Sequence, residues 1–322
     1  MPMRAIVVGS GQAAGELETR DVAAPQAGPG EVVISIVSAG VNRADLLQRK
    51  GLYPSPPGWP EWPGLECSGT VAHVGEGVSD VREGDAVCAL VGGGAYADAI
   101  AVPADLTLPV PNGLDLIAAG GLMEAACTVW SNLNTAAAAP GETLLVHGGA
   151  GGIGSFAIQI GKAMGLRVIA TAGGPDRAQW CRDIGADVAV DYRREDFVAA
   201  AQAVGGADVI LDVVGAGYLD RNVAALATGG RLVVIGLLEG ATAPLDLGAL
   251  MARRLRVIGT TLRSRPHAER AAIVAAVGRE VWPWIPSKVS PLLHAAIPLE
   301  DASRAHDMLS NGEVAGKIVL TP

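Results

Sequence analysis

Residues Thr143–Leu166 read TLLVHGGAGGIGSFAIQIGKAMGL. Leu144, Leu145 and Val146 make a short apolar run of the length of a buried strand. The run breaks into His147-Gly148-Gly149-Ala150-Gly151-Gly152-Ile153-Gly154, after which Phe156, Ile158, Ile160, Met164 and Leu166 recur as in a largely buried helix. Gly149, Gly151 and Gly154 satisfy G-x-G-x-x-G between a strand and a helix, the context that gives the motif its meaning. Glycines let the backbone turn tightly and lie against a pyrophosphate, whose charge is met by the N–H groups and dipole of the helix N-terminus. Gly149, Ala150, Gly151, Gly152, Ile153 and Gly154 are therefore the candidate dinucleotide-binding loop. A purely structural glycine-rich turn is the alternative.

An NAD site usually carries an Asp or Glu about 20 residues beyond such a loop, on the ribose 2′-hydroxyl. The next strand is Arg167–Ala172, and no acid occurs between Gly154 and Asp176. The turn Gly173-Gly174-Pro175-Asp176-Arg177 offers a cation instead. An arginine at the ribose 2′ position suits a 2′-phosphate, so the pattern predicts NADPH as cofactor. The alternative is a solvated Arg177 in the first turn of a helix, and the neighbouring Asp176 works against the phosphate reading.

A length of 322 residues exceeds a usual single domain, so two are expected. Half of the residues are apolar and 18% are charged, enough apolar material for a large core. A net charge of −9, without any long basic run, argues against a nucleic-acid partner. Cys67, Cys88, Cys127 and Cys181 lie far apart with no C-x-x-C pair, which fits buried reduced thiols rather than a zinc site or disulfide framework. The N-terminal MPMRAIVVG turns strand-like at once, unlike a signal peptide, and no run of about 18 apolar residues would cross a membrane. The predicted location is cytoplasmic.

The first third is punctuated by Gly and Pro, with strands predicted over Arg4–Val8, Glu31–Val41, Gly69–Val74, Asp85–Val91 and Tyr96–Val102. Tyr53–Pro63, YPSPPGWPEWP, interrupts them as a stiff loop whose Trp59 and Trp62 either wall a pocket or clamp the loop to the core. From Thr143 strands and helices alternate: strands Leu144–His147, Arg167–Ala172, Val188–Asp191, Val209–Val214, Leu232–Gly236 and Val257–Leu262, with helices such as Asp176–Ile184 and Tyr218–Ala227 between. This is the pattern of an α/β, Rossmann-type doubly wound parallel sheet, with its ligand outside the carboxyl ends of the strands. A helix over His267–Val281, a strand near Leu292–Ile297, a helix over Leu299–Leu309 and a strand over Lys317–Leu320 close the chain. This tail is expected to rejoin the first domain, giving a β-rich domain of residues 1–122 and 266–322 and a dinucleotide-binding domain of residues 123–265.

The order of motifs resembles the medium-chain dehydrogenase/reductase superfamily, in its zinc-free quinone oxidoreductase branch. The carrying residues are Gly40-Val41-Asn42-Arg43-Ala44-Asp45-Leu46 with Gly51-Leu52-Tyr53, Pro63-Gly64-Leu65-Glu66-Cys67-Ser68-Gly69, Glu83-Gly84-Asp85, Glu124-Ala125-Ala126-Cys127-Thr128, the glycine loop, Leu211-Asp212 with Val214-Gly215, and Gly316-Lys317-Ile318-Val319-Leu320. The VNRADL and GLY segments are most similar to the tumour-suppressor-inducible, NADPH-dependent quinone oxidoreductase subgroup. The resemblance implies that the β-rich domain is a GroES-like catalytic domain. Zinc-dependent relatives place a Cys ligand where this chain has Asn42 and a His where it has Leu65, and Glu124 lies near their third ligand. Asn and Leu supply neither thiolate nor imidazole, so no zinc is expected.

Without a Lewis acid, hydride must pass to an acceptor that needs little activation, such as a quinone; a conjugated enone or enoyl thioester also qualifies if a donor stabilises its developing enolate. The resemblance puts Asn42 and Tyr53 near nicotinamide and substrate. Tyr53 is either a hydrogen-bond or proton donor or a loop anchor, and Asn42 either an orienting residue or a turn asparagine. Tyr192 maps onto a 2′-phosphate contact with Arg177 as basic partner, while Gly174 falls where relatives carry a hydroxyl. Thr128, Gly215 and Leu237 line the groove, Leu262, Arg263 and Ser264 lie near the nicotinamide, and Lys317 reaches the phosphates. His147 reads as a loop-packing residue. The predicted function is NADPH-dependent reduction of small aromatic or ortho-quinones by a homodimer joined through Val257–Leu262, an edge strand open to pairing across a two-fold axis. The alternatives are an enone or enoyl-thioester reductase, and a non-catalytic NADPH-binding protein of the crystallin-like or redox-sensing kind.

Overall fold

A computed structural model describes residues 2–10 and 15–322. Among the described residues fifteen strands run in chain order: β1 (Pro2–Val8), β2 (Leu17–Ala23), β3 (Glu31–Gly40), β4 (Glu66–Val74), β5 (Ala86–Leu90), β6 (Ala99–Pro103), β7 (Thr107–Pro109), β8 (Thr143–Val146), β9 (Arg167–Ala172), β10 (Val188–Asp191), β11 (Ala207–Asp212), β12 (Leu226–Val234), β13 (Arg256–Gly259), β14 (Leu293–Pro298) and β15 (Lys317–Thr321). They fall into two compact units. A β-rich unit takes Met1–Cys127, Arg263–Ser287 and Pro291–Pro322; a parallel-sheet unit takes Thr128–Leu262 and Lys288–Ser290. The breaks thus come after Cys127, inside the helix Met123–Thr135, and after Leu262, rather than after residues 122 and 265. Among the described residues no helix is long and apolar enough to cross a membrane.

The parallel-sheet unit has strand order β10-β9-β8-β11-β12-β13, all pairs parallel. Strands buried on both faces read as continuous apolar runs, as the fully buried Leu144, Leu145 and Val146 of β8 do. The helix Gly152–Ala163 follows β8 and buries Phe156, Ile158 and Ile160. It packs closely because Gly161 has no Cβ: one would lie 3.0 Å from Leu144 and 3.1 Å from Val168. On the opposite face Leu145, Ile169, Ile210 and Leu232 join Phe197 and Val223 in one core. Strand order reverses between β8 and β11, so the turns after these two strands flank the position where open α/β sheets bind ligands.

In the β-rich unit the order is β14-β15-β3-β4-β5-β7, with β6 also on β3 and β1-β2 a separate antiparallel pair. The C-terminal segment enters this sheet where Val319 pairs Gly40 and Leu320 pairs Ala39. Two strands have no counterpart in the sequence reading. β2 (LETRDVA) is polar and mostly exposed, and β7 has only three residues, so neither leaves an apolar signature. Tyr96, predicted to begin a strand, lies instead in the loop before β6, fully buried.

Candidate active site

The glycine loop separates two demands on its glycines. A Cβ on Gly154 would stand 2.1 Å from the Gly148 carbonyl oxygen, and one on Gly149 would stand 2.8 Å from Ala170. Both are excluded by the fold itself. At Gly151 the nearest heavy atom would be 3.4 Å away, an ordinary contact, yet Gly151 is the N-cap of the helix Gly152–Ala163. A small residue is thus placed where space at a helix N-terminus is not demanded by protein packing. The opening turn at Gly152, Ile153 and Gly154 has N–H groups without intrahelical acceptors, which suits an anion. Ala150 is buried within the loop. His147 bonds Asn222 Oδ1 at 2.7 Å and Thr171 Oγ1 at 3.1 Å; burial lowers its pKa to about 4, so the ring is neutral and packs the loop.

The ribose end is built around Asp191 at the end of β10. Its Oδ1 accepts the N–H of Gly174 at 2.8 Å and of Arg193 at 3.1 Å, tying the turn after β9 to the turn after β10. Gly174 has φ of 99° and precedes the helix Pro175–Asp183, whose first turn carries the half-buried Arg177. The Tyr192 hydroxyl lies 2.6 Å from where a Gly173 Cβ would stand, and Arg193 lies beside the same turn, its Nε 3.4 Å from that position. The sequence reading does not single out Arg193, although it directly follows Tyr192. A cation is sought there only after β9, whereas the sheet brings the end of β10 alongside. Gly215 turns with φ of 82° and donates its N–H to Asp212, whose carboxyl burial raises to about 6. Leu237 is exposed, Leu262 buried, and the Thr128 carbonyl accepts from Asn132 Nδ2 at 2.7 Å.

A buried charged cluster lies in the β-rich unit. Lys317 on β15 and Glu66 on β4 are 2% and 0% exposed in their side chains and pair at 2.6 Å. Asn42 joins both: its Nδ2 donates to Glu66 Oε1 at 2.9 Å and its Oδ1 accepts from Lys317 Nζ at 2.8 Å. Both ends of the amide are committed, and Asn42 also caps the helix Arg43–Arg49, its N–H bonded to Asp45 Oδ2 at 2.7 Å. The expectation that Lys317 reaches phosphates is corrected: its ammonium is enclosed and held by Glu66 and Asn42, a partner the sequence spacing does not reveal. Asp45 also accepts from Gly64 N–H and the Tyr96 hydroxyl; burial raises it to about 6 against the pull of these donors.

Arg263 clamps the loop that carries Tyr53. Its guanidinium donates to the carbonyls of Gly92 (2.6 Å) and Tyr53 (2.9 Å), to Gln48 Oε1 (2.8 Å) and to Ser55 Oγ (2.9 Å), and it lies 4.9 Å from the centre of the Tyr53 ring. The exposed Ser264 follows. Trp62 Nε1 bonds the Gly94 carbonyl at 2.9 Å, and the Trp59 ring fills the space beside Gly92, so both tryptophans clamp the proline loop. Tyr53 is half-buried, and burial followed by the nearby Glu124 raises its phenol above the usual value. Glu124 opens the helix Met123–Thr135 and its N–H donates to Glu66 Oε2 at 2.9 Å.

A zinc ion does not fit these donors. The Asn42 amide is taken up on both sides, Leu65 is a buried hydrocarbon, and Glu66 is neutralised by Lys317. Among the described residues no three His, Cys, Asp or Glu side chains group to hold a metal. A dinucleotide does fit, at Gly151 and the helix N-terminus behind it.

Comparison with known proteins accords with this division. Residues 28–112 match the family described as alcohol dehydrogenase GroES-like domain, and residues 152–277 that described as zinc-binding dehydrogenase. The chain is 30% identical to an alcohol dehydrogenase of Geobacillus stearothermophilus, over 99% of this chain and 98% of that protein. It is 32% identical to a probable quinone oxidoreductase of Schizosaccharomyces pombe, over 92% of this chain and 90% of that protein. The crystal structure of the Thermus thermophilus quinone oxidoreductase, also solved with NADPH, matches with a TM-score of 0.86 and 33% identity over 100% of both chains. A Rossmann-type sheet and a GroES-like domain in one chain define an NAD(P)-dependent oxidoreductase. The chain belongs to the medium-chain dehydrogenase/reductase superfamily, in its zinc-free quinone oxidoreductase branch.

Proposed function

We propose that the protein reduces small aromatic or ortho-quinones with NADPH and without zinc. The observation that supports this reading is the Glu66–Lys317–Asn42 cluster: Asn42, at the position the resemblance gives to a zinc-ligating Cys, has its amide taken up by a closed ion pair. An acceptor reduced here must need little activation, and a quinone gains aromaticity on reduction. The bound cofactor supplies the hydride. Gly151 and the first helical turn hold the pyrophosphate, and Tyr192, Arg193 and Arg177 meet the 2′-phosphate. Arg263 fixes the loop that carries Tyr53, whose hydroxyl donates to the acceptor oxygen. Asn42 acts as a positioning residue.

The Tyr53 phenol, which its surroundings keep protonated, also favours a second reading, an enone or enoyl-thioester reductase. Turnover of a para-quinone against a crotonyl thioester, both with NADPH, separates the two. Faster reduction of the quinone supports the first reading, and faster reduction of the thioester replaces it with the second. A homodimer through β13 is supported by the strand's place at the sheet edge and by exposed Val257, Leu247 and Met251 (39%, 65% and 80%) on it or beside it in sequence. Light scattering that finds a monomer at micromolar concentration would end that assignment. The four cysteines are buried and unpaired, in keeping with the cytoplasm.

A further inference from the structure

We propose that Asp191 is a positioning residue that determines cofactor specificity: it favours NADPH by holding Arg193 and Tyr192 over the turn after β9, and acts through them rather than on the cofactor itself. The inference rests on the reading of that turn as the 2′-phosphate site and adds the residue that makes it rigid.

Asp191 ends β10 and is 5% exposed. Its Oδ1 accepts two backbone N–H groups, from Gly174 at 2.8 Å and from Arg193 at 3.1 Å, so one oxygen bridges the turns that follow β9 and β10. Its backbone closes the second turn on itself. The carbonyl accepts the N–H of Arg194 at 2.9 Å and of Glu195 at 2.8 Å, and the Asp191 N–H donates to Glu195 Oε2 at 3.0 Å. Across the sheet, the Tyr192 N–H donates to the Ala172 carbonyl at 3.1 Å. Every residue from Asp191 to Glu195 is thus bonded through its backbone.

This frame carries two exposed side chains over the glycines of the neighbouring turn. A Cβ on Gly173 would stand 2.6 Å from the Tyr192 hydroxyl and 3.4 Å from Arg193 Nε, and one on Gly174 would stand 3.8 Å from Arg193 Nη1. The hydroxyl and the guanidinium lie where they do because both positions are glycine and because Asp191 ties the two turns together. Fixing flexible side chains before the cofactor arrives removes an ordering cost from binding.

The direction of the carboxylate decides the sign of the effect. An acid that faced the ribose would accept its 2′-hydroxyl and repel a 2′-phosphate, and so favour NADH. In Asp191 the two N–H groups occupy Oδ1, while Oδ2 is buried with no hydrogen-bond partner among the described residues and lies 4.0 Å from Arg194 Nε. The Gly174 N–H, against the effect of burial, and then the Arg193 N–H hold the carboxyl below its usual range, so it is charged at neutral pH and a strong acceptor for both. The acid is turned into the protein, and the arginine it supports is exposed.

The test titrates NADPH and NADH separately into the full-length protein by fluorescence, and follows turnover with the better of para-quinone and crotonyl thioester. Asp191→Ala should weaken NADPH about tenfold, the ordering of two side chains, and leave NADH nearly unchanged. In turnover the loss should appear in KM for NADPH and not in kcat. Asp191→Asn keeps an oxygen for both N–H groups and should restore most of the preference. On an Arg193→Ala background Asp191→Ala should cost clearly less than in the wild type, since the side chain it places is gone. A preference for NADPH that rises in Asp191→Ala would make the carboxylate a ribose-facing acid and overturn the proposal; equal losses for both cofactors would overturn it by making Asp191 structural. Asp191→Val, whose branched side chain suits a strand, covers the case in which the Ala variant does not fold. Failure of both to fold would mean that Asp191 holds the whole unit, which also overturns the proposal. A wild type that binds both cofactors equally overturns the NADPH reading and this inference with it, whereas a wild-type preference kept intact in Asp191→Ala overturns this inference alone.

Discussion

The two units meet charge in opposite ways. In the parallel-sheet unit the groups left over are backbone: a glycine with room beside it, the N–H groups of a helix start, and a turn tied down by Asp191. In the β-rich unit charge is met by side chains that have already found each other, Lys317 on Glu66 with Asn42 on both. The first arrangement leaves donors for a ligand. The second leaves none, because each charged or amide group of the cluster is already bonded to another.

The comparison breaks most visibly at Lys317. Removing one member of a buried ion pair leaves the other uncompensated, at a cost of about 3–5 kcal/mol. Lys317→Met should therefore lose about that much in denaturant unfolding, and a further Glu66→Leu exchange should recover part of it. A cost under about 1 kcal/mol, the range of exposed pairs, would mean that the cluster is not the closed pair described.

In the other unit, Gly154→Ala forces a Cβ against the Gly148 carbonyl oxygen at 2.1 Å, and overpacking of this kind costs about 1–3 kcal/mol. It should lower thermal stability and abolish cofactor binding together. Gly151→Ala meets only an ordinary contact and should leave stability unchanged while weakening the cofactor about tenfold, or about 1.4 kcal/mol. Equal losses of stability in both variants would make the loop a structural turn. Arg193→Ala and Arg177→Ala remove one charge-assisted contact each, worth about 1.5–3 kcal/mol. Each should weaken NADPH about ten- to a hundredfold and leave NADH nearly unchanged, measured by fluorescence titration. Equal losses for both cofactors would make these arginines structural. Tyr53→Phe is smaller again for a quinone, at most about tenfold in kcat. For an enone, whose oxyanion must be met, the same change should cost about 10²–10³.

The two sites are also unequally legible in the sequence. The loop at Gly149–Gly154 is contiguous, flanked by a strand and a helix, and its meaning is local; so is the parallel sheet, since each βα unit carries its own apolar run. The charged cluster collects residues 42, 66 and 317 across three separate segments, and no spacing announces that Lys317 lies on Glu66. Resemblance assigns Arg263 to the cofactor, while its four hydrogen bonds go to segments some 171 to 215 positions earlier. Arg193 escapes notice because only the sheet order makes β10 the neighbour of β9. Strands without an apolar signature, β2 above all, offer no pattern to read.

The most direct test of the account is the metal content and chelator response of the purified enzyme during NADPH-dependent quinone reduction. With Asn42 and Glu66 committed to Lys317, and Leu65 offering no donor, elemental analysis should find no stoichiometric zinc and turnover should survive prolonged chelation unchanged. Zinc at one equivalent per chain, with activity lost on chelation and restored by the metal, would contradict it.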